Sequence, residues 1–299
     1  MAALVPIDSG DLAALEQRIE VPTTPDPEST ISKIKEWLRS HVAKVRAIGV
    51  ASFGPIDPKV GSPTFGFITS TPKPGWMNTD VIGLLGLRDE FKHIPFKFDT
   101  DVNAPAIAEY NLYAPPGSSS SAYITVGTGV GVGLVINGKP VHGMLHPEGG
   151  HVQVKRMPGD TFKGSCPFHG DCIEGMVSTG AIAARTGLPA SELPSLPDDH
   201  KVWDAVAYYL AQLCVSLVLL CSPEQIVLGG GVFNRTVLYS KIRTKFRELL
   251  NNYIQHPSCL EDGGLEKLIC ASHWGNQAGI VGSVFLAKVA AEEARSLAP

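Results

Sequence analysis

Tyr123-Ile124-Thr125-Val126-Gly127-Thr128-Gly129-Val130-Gly131-Val132-Gly133-Leu134-Val135-Ile136-Asn137-Gly138 decides the reading of this chain. Apolar β-forming residues flank a glycine-rich loop on both sides, and Asn137-Gly138 is a strong hairpin-turn pair. The stretch predicts a strand, a glycine loop, a second strand, a turn and a third short strand. It is not a dinucleotide-binding fingerprint. Gly127, Gly129 and Val132 break the G-x-G-x-x-G spacing, and a strand rather than a helix follows. Backbone N–H groups in succession over Thr125–Gly129, with the Thr128 hydroxyl, offer what a phosphate needs from a neutral loop. Tight hairpins that bind nothing use the same glycines, so this stretch alone leaves both readings open.

Downstream lie Glu148-Gly149-Gly150-His151 and Cys166-Pro167-Phe168-His169-Gly170-Asp171-Cys172-Ile173-Glu174. The thiols of Cys166 and Cys172 and the imidazoles of His151 and His169 suit tetrahedral Zn²⁺, and a filled shell points to a structural ion. The alternative is two buried structural cysteines beside a surface histidine. Because Glu148 and Glu174 interleave with the ligands, such a knot would also fix two carboxylates for a polar ligand. A long helix is expected over Lys201–Cys221, then a strand Gln225–Leu228 running into Gly229-Gly230-Gly231, then a helix to about Tyr253. At those glycines a helix dipole favours an anion or a nucleotide edge, or the small residues serve close helix–strand packing. Leu268–Ala271 reads as a last strand and Gly279–Ala294 as a closing helix.

Upstream, Ala2–Ile7 and Glu16–Val21 are weak strands, and Ser29 or Thr30 caps a helix to about Val45. Ala47–Phe53 is a buried strand and Asp80–Phe91 a short helix. Phe96–Asp99 is a strand delivering Thr100-Asp101-Val102-Asn103, with Ala104–Tyr110 helical beyond it. Asp101 is either a helix N-cap or a general base taking a proton from a hydroxyl. Trp76 and Asn78 belong to a sugar-facing loop or to an anchored surface turn. The Pro/Gly/Ser stretch Ala114–Ser121 marks a boundary between domains 1–113 and 114–299, with the last helix free to return to the first. Strands and helices in both halves predict an α/β protein of two domains around a cleft.

The 299 residues, 44% hydrophobic and 18% charged with a net charge of −4, describe an ordinary globular chain with a large core. No long basic run supports nucleic acid or an anionic membrane as partner. The apolar stretch Leu210–Cys221 is too short to span a bilayer, and no basic-then-apolar leader opens the chain, so the cytoplasm is expected. Of the six cysteines two belong to the metal loop, and Cys214 and Cys221, seven apart on one helical face, read as small buried hydrophobes.

In order and spacing, Asp101 with Asn103, Thr125–Gly129, Glu148–His151, the Cys/His loop running into Glu174, and Leu228–Val232 resemble the ROK family of sugar kinases and repressors. Ser52-Phe53-Gly54-Pro55-Ile56-Asp57, Ser70–Trp76 and His146-Pro147-Glu148 match its zinc-bearing fructokinase branch. The resemblance runs from about Val21 to Leu286. It implies two RNase H-like domains of the actin/hexokinase ATPase superfamily flanking a cleft that closes on a hexose and MgATP, with a homodimer expected. Asp101 would be the base. Asn103, Glu148, Glu174 and Asn78 would hold the sugar, and His151 would join Cys166, His169 and Cys172 on zinc. Gly127, Thr128 and Gly129 would meet the phosphates, and Thr179 with Gly229, Gly230, Gly231, Val232 and Phe233 would border the nucleotide. Phosphorylation of D-fructose at its 6-hydroxyl is expected. The alternatives are glucose, mannose or N-acetylmannosamine as substrate, or a sugar-binding pseudokinase. The family opens with a strand and a Gly-Gly-Thr-Lys phosphate loop that is not found here. Met1–Pro6 resembles the strand after it, and Asp8-Ser9-Gly10 lacks the motif. A first domain short of one central strand and half a phosphate cradle is therefore expected. No DNA-binding helical domain precedes the core, which sets the repressor branch aside.

Overall fold

The computed structural model describes residues 1–6 and 10–297. Ile7, Asp8 and Ser9, which figure in the reading of the opening strand and of the absent phosphate loop, lie outside them. In chain order the elements are β1 (Ala2–Leu4), β2 (Gln17–Ile19), α1 (Pro27–His41), β3 (Ile48–Ser52), β4 (Phe67–Ile68), β5 (Thr79–Asp80), α2 (Val81–Leu84), β6 (Phe96–Thr100) and α3 (Asn103–Tyr113). There follow β7 (Ser120–Val126), β8 (Val130–Ile136), β9 (Lys139–Pro140), α4 (Ile173–Val177), α5 (Thr179–Thr186), α6 (Val202–Cys221) and β10 (Ile226–Gly229). The chain closes with α7 (Val237–Leu250), α8 (Pro257–Leu260), α9 (Asp262–Leu268), β11 (Ile269–Ala271) and α10 (Ala278–Ser296). The expected α/β class holds. The chain divides into two compact units: unit 1 is Met1–Ala108, Val141–His146 and Gln277–Pro299, and unit 2 is Glu109–Pro140 and Pro147–Asn276.

Unit 2 is built on one five-stranded sheet in the order β11-β10-β7-β8-β9. The antiparallel β7–β8–β9 meander is the one read from the glycine-rich stretch, with Val126 opposite Val130 across the loop. β10 runs parallel to both β7 and β11. All four residues of β10 are buried, the pattern of a strand covered on both faces. α6 supplies much of the remaining core through residues such as Trp203, Tyr209, Leu210 and Leu213. By length and composition this helix could cross a membrane, which Leu210–Cys221 alone could not, yet more than half of its most apolar window is buried inside the protein. Cys214 is buried as expected, whereas Cys221, at the last turn, is only partly so.

Unit 1 holds the parallel pair β3–β6, in register from Ile48 opposite Phe96 to Ser52 opposite Thr100. Gly49 lets α10 lie on this pair, because a Cβ there would collide with the backbone of Ser283 and Ala287. Ile56, Ile68, Trp76, Ile82, Leu87 and Phe91 form the core beneath, each contributing roughly 1.5–3 kcal/mol by burial. Among the described residues β3 pairs only with β6. It also lines a cavity of about 480 Å³ whose other walls include β1, α10 and Asp101.

Three local expectations are corrected. The cap of α1 is Asp26, whose Oδ1 accepts from the Ser29 amide at 3.2 Å, with Pro27 opening the helix. The Thr30 hydroxyl instead donates back to the Asp26 carbonyl. Asp80–Phe91 is not one helix. α2 lasts four residues before Gly86, at φ +79°, turns the chain. Finally, the glycines after β10 do not open a helix running to Tyr253. A 3₁₀ turn, Gly231–Asn234, intervenes before α7, so no long helix dipole points at them.

Candidate active site and metal centre

β6 delivers Asp101 to the surface of unit 1. The cap of the following helix falls to its neighbour, since Thr100 Oγ1 accepts from the Asn103 amide at 2.8 Å. Asp101 is thereby left free of the capping role. Its carboxyl is open on one side and crowded by protein on the others. Burial pushes its pKa up, and the charge of Lys73 pulls it partly back. Lys73 has its own pKa lowered by burial, against the pull of Asp101. Its ammonium sits 3.8 Å from the centroid of the Phe53 ring, and that ring meets Trp76 edge-on at 5.1 Å. Trp76 itself is buried, with its indole N–H donating to the Thr24 carbonyl at 2.7 Å, so it anchors the turn. Asn78 is exposed in the left-handed region at φ +56°, its amide bonded to the Thr69 carbonyl.

Asn103 is fully buried two residues beyond Asp101. Its Nδ2 donates to Asp99 Oδ1 at 2.8 Å, and the same oxygen accepts from the Thr100 amide at 2.7 Å. His142 Nε2 reaches the other oxygen of Asp99 at 2.9 Å. The hydrogen bond to Asp99 raises the His142 pKa above its ordinary value, against burial. Asn103 Oδ1 is buried with no partner. Nearby, His146 Nε2 accepts from the Ile56 amide at 3.0 Å. Neither Asp99 nor His142 was singled out from sequence. An aspartate ending a strand and a histidine beside a glycine carry no local signal of their pairing.

In unit 2 the glycine loop is held from two sides. Gly127 N donates to Gly129 O at 2.9 Å, and Gly127 O accepts from the Thr179 amide at 2.8 Å. Glu174, in the first turn of α4, accepts from the Val130 amide through Oε2 at 3.0 Å. A Cβ on Gly129 would sit 2.7 Å from that oxygen, so the glycine is what admits the carboxylate. Thr128, at the loop's tip, is exposed, and Gly127 has open space where a side chain would be. The structure thus brings Gly127, Gly129, Glu174 and Thr179 together. Gly229 and Gly230 lack room for a side chain against Tyr123 and Thr125–Val126, so packing accounts for their size. Gly231 faces open space. Val232 is partly buried and Phe233 buried, while Glu148 is exposed just before a 3₁₀ turn, Gly149–His151.

That turn aims His151 at the Cys/His loop. Ligand atoms of His151, Cys166, His169 and Cys172 all lie within 4.8 Å of one another. Cys166 Sγ is 3.7 Å from Nδ1 of both histidines, and Cys172 Sγ is 3.6 Å from His151 Nδ1. Bonds of about 2.0 Å to nitrogen and 2.3 Å to sulfur imply tetrahedral edges of roughly 3.5 Å, so the donor set fits an ion of that size. Burial pushes the Cys172 thiol up to about 11, and a cation is what would favour the thiolate. The loop is tied to the helices by Asp160. Burial would raise its pKa, but hydrogen bonds from Arg185, at 2.8 and 3.0 Å, and from Tyr209, at 2.6 Å, take it down to about 2.

A family model described as "ROK family" matches residues 3–290. The fructokinase of Zymomonas mobilis is 40% identical over 295 residues, spanning 97% of this chain and 93% of that protein. The fructokinase of Pediococcus pentosaceus is 38% identical, spanning 94% and 92%. Among solved structures, the ROK glucokinase of Streptomyces griseus in complex with glucose and AMPPNP superposes with a TM-score of 0.69 at 22% identity, covering 93% of this chain and 94% of that one. By family match, identity and fold alike, the chain belongs to the ROK family.

Proposed function

We propose that the protein is an ATP-dependent hexose kinase that converts D-fructose to fructose 6-phosphate. The observation that carries this function is the Asp101 carboxyl: accessible, relieved of capping duty, and held above the ordinary carboxylate range by its surroundings. A general base works best when its pKa approaches the working pH. Fructose as substrate follows from relatives near 40% identity along almost their whole length.

In the proposed reaction the 6-hydroxyl oxygen attacks the γ-phosphorus of MgATP in line. The O6–P bond forms, the bond to the β,γ-bridging oxygen breaks, and ADP leaves with that electron pair. Asp101 takes the hydroxyl proton. Asn103, Glu148, Glu174 and Asn78 hold sugar hydroxyls. Thr128 and Gly129 present amides and Thr128 its hydroxyl to the phosphates, Gly127, whose own amide is taken by Gly129 O, leaves them room, and Thr179 with Gly229–Phe233 borders the nucleotide. The Cys/His cluster binds zinc, which fixes the segment between Glu148 and Glu174 and takes no part in the chemistry. We assign a homodimer working in the cytoplasm, where six free thiols stay reduced.

A coupled ADP-release assay with fructose, glucose, mannose and N-acetylmannosamine tests this. Fructose should give the highest kcat/KM. Fructose binding by calorimetry without ADP release from any of the four sugars would mark a pseudokinase instead.

A further inference from the structure

Asp99, Asn103 and His142 form a cluster in unit 1 in which two carboxylate oxygens are engaged while a buried amide oxygen and a nitrogen of a partly exposed imidazole are not. Asp99 is buried and uses both oxygens, Oδ1 for the Thr100 amide and Asn103 Nδ2, Oδ2 for His142 Nε2. The orientation of the Asn103 amide is thereby fixed, because a flipped group would set its oxygen against the carboxylate. Its Oδ1 is left buried without a donor, an expensive state in a folded protein. His142 is committed in the same way. Nε2 carries the hydrogen given to Asp99, and Nδ1 has no partner among the described residues, on a side chain 38% exposed. Asn103 and His142 also approach each other, Nδ2 to Nε2, at 3.4 Å.

The segment carrying His142 is placed, not loose. Val141–His146 belongs to unit 1, although the chain on either side of it belongs to unit 2. It is pinned at one end by His142 on Asp99 and at the other by His146 accepting from the Ile56 amide. Between the pins Met144 is 95% exposed, so the segment is not held by burial of its tip. Two polar anchors therefore hold His142 beside the Asn103 amide, whose oxygen lacks a hydrogen.

We infer that His142 is a hexose-binding residue that works with Asn103 as a clamp for two neighbouring sugar hydroxyls. One hydroxyl donates to Asn103 Oδ1, and its neighbour bonds to His142 Nδ1. The assignment rests on the hexose kinase function proposed above, but it concerns binding and can be tested without turnover.

The discriminating variant is His142→Gln, whose amide nitrogen can keep the bond to Asp99 while Nδ1 is lost. His142→Ala, which loses both, is the second variant. Fructose affinity is read by calorimetry, along with KM and kcat for fructose and for MgATP. His142→Gln should weaken fructose binding at least about 5-fold, with kcat within about 3-fold and the MgATP KM unchanged. The decisive readout is a set of deoxyfructoses, each missing one hydroxyl. For one of them the loss caused by His142→Gln should vanish, because hydroxyl and imidazole are already unpaired. A merely structural histidine gives the same loss with every analogue, and that result overturns the inference, as does unchanged fructose affinity in both variants. If the parent binds fructose but does not phosphorylate it, the kinase function falls and the analogue series still decides His142. If the parent binds no hexose, both fall together.

Discussion

Asp101 in unit 1 and Asp160 in unit 2 are both aspartates crowded by protein, and their surroundings drive them in opposite directions. Asp160 receives two hydrogen bonds from Arg185, one from Tyr209 and one from the Phe162 amide, and ends near pKa 2. Asp101 has the charge of Lys73 and a hydrogen bond at its own backbone to oppose burial, and its pKa still rises. A carboxylate whose lone pairs are all met holds structure. One left under-solvated and accessible is suited to take a proton. The same contrast separates Asp99, with both oxygens engaged, from its neighbour Asn103, with one atom waiting.

The largest effect should come from Asp101→Asn. It should cut kcat about 10²–10⁴-fold in the ADP-release assay while leaving fructose affinity within a few-fold. Melting should be unchanged or higher. A carboxyl whose folded pKa is raised costs stability once ionised, and Asn removes that cost. Asp160→Asn should do the reverse, costing about 3–5 kcal/mol in urea unfolding by stranding the buried Arg185, with kcat per folded molecule preserved. Metal comes next. Elemental analysis should find about one zinc per chain, and Cys172→Ser should lower both zinc content and melting temperature. Metal-free protein with normal melting would remove zinc from the account. The smallest effect is on acid stability. Asp160 has a depressed pKa, so its contribution of about 2 kcal/mol is present above pH 4 and fades as pH falls towards 2. Asp160→Asn should abolish that part of the acid dependence.

What could be read from the sequence was local in the chain. The β7–β8–β9 meander follows from apolar runs on both sides of the glycines and one Asn-Gly turn, and the Cys/His cluster from three-residue steps in one loop. Long-range pairings were not legible. Asp160 finds Arg185 and Tyr209 at separations of 25 and 49 residues, and Asn103 finds His142 at 39. No propensity or spacing encodes such contacts, because they depend on how helices and loops pack. Local breaks misled for a different reason: α2 stops at Gly86 and the chain after β10 turns at Gly230, both at positive φ, and a helix read through them gives too little weight to glycine.

The pH dependence of kcat/KM for fructose, in the parent and in Lys73→Met, bears most directly on the claim that Asp101 is a base tuned by its surroundings. The acid limb of the parent should lie above the ordinary aspartate value, because burial raises the pKa of the group that must be ionised. Removing the Lys73 charge should move that limb further up, since that charge now holds the carboxyl down. A parent limb at the ordinary aspartate value, unmoved in Lys73→Met, would contradict the account.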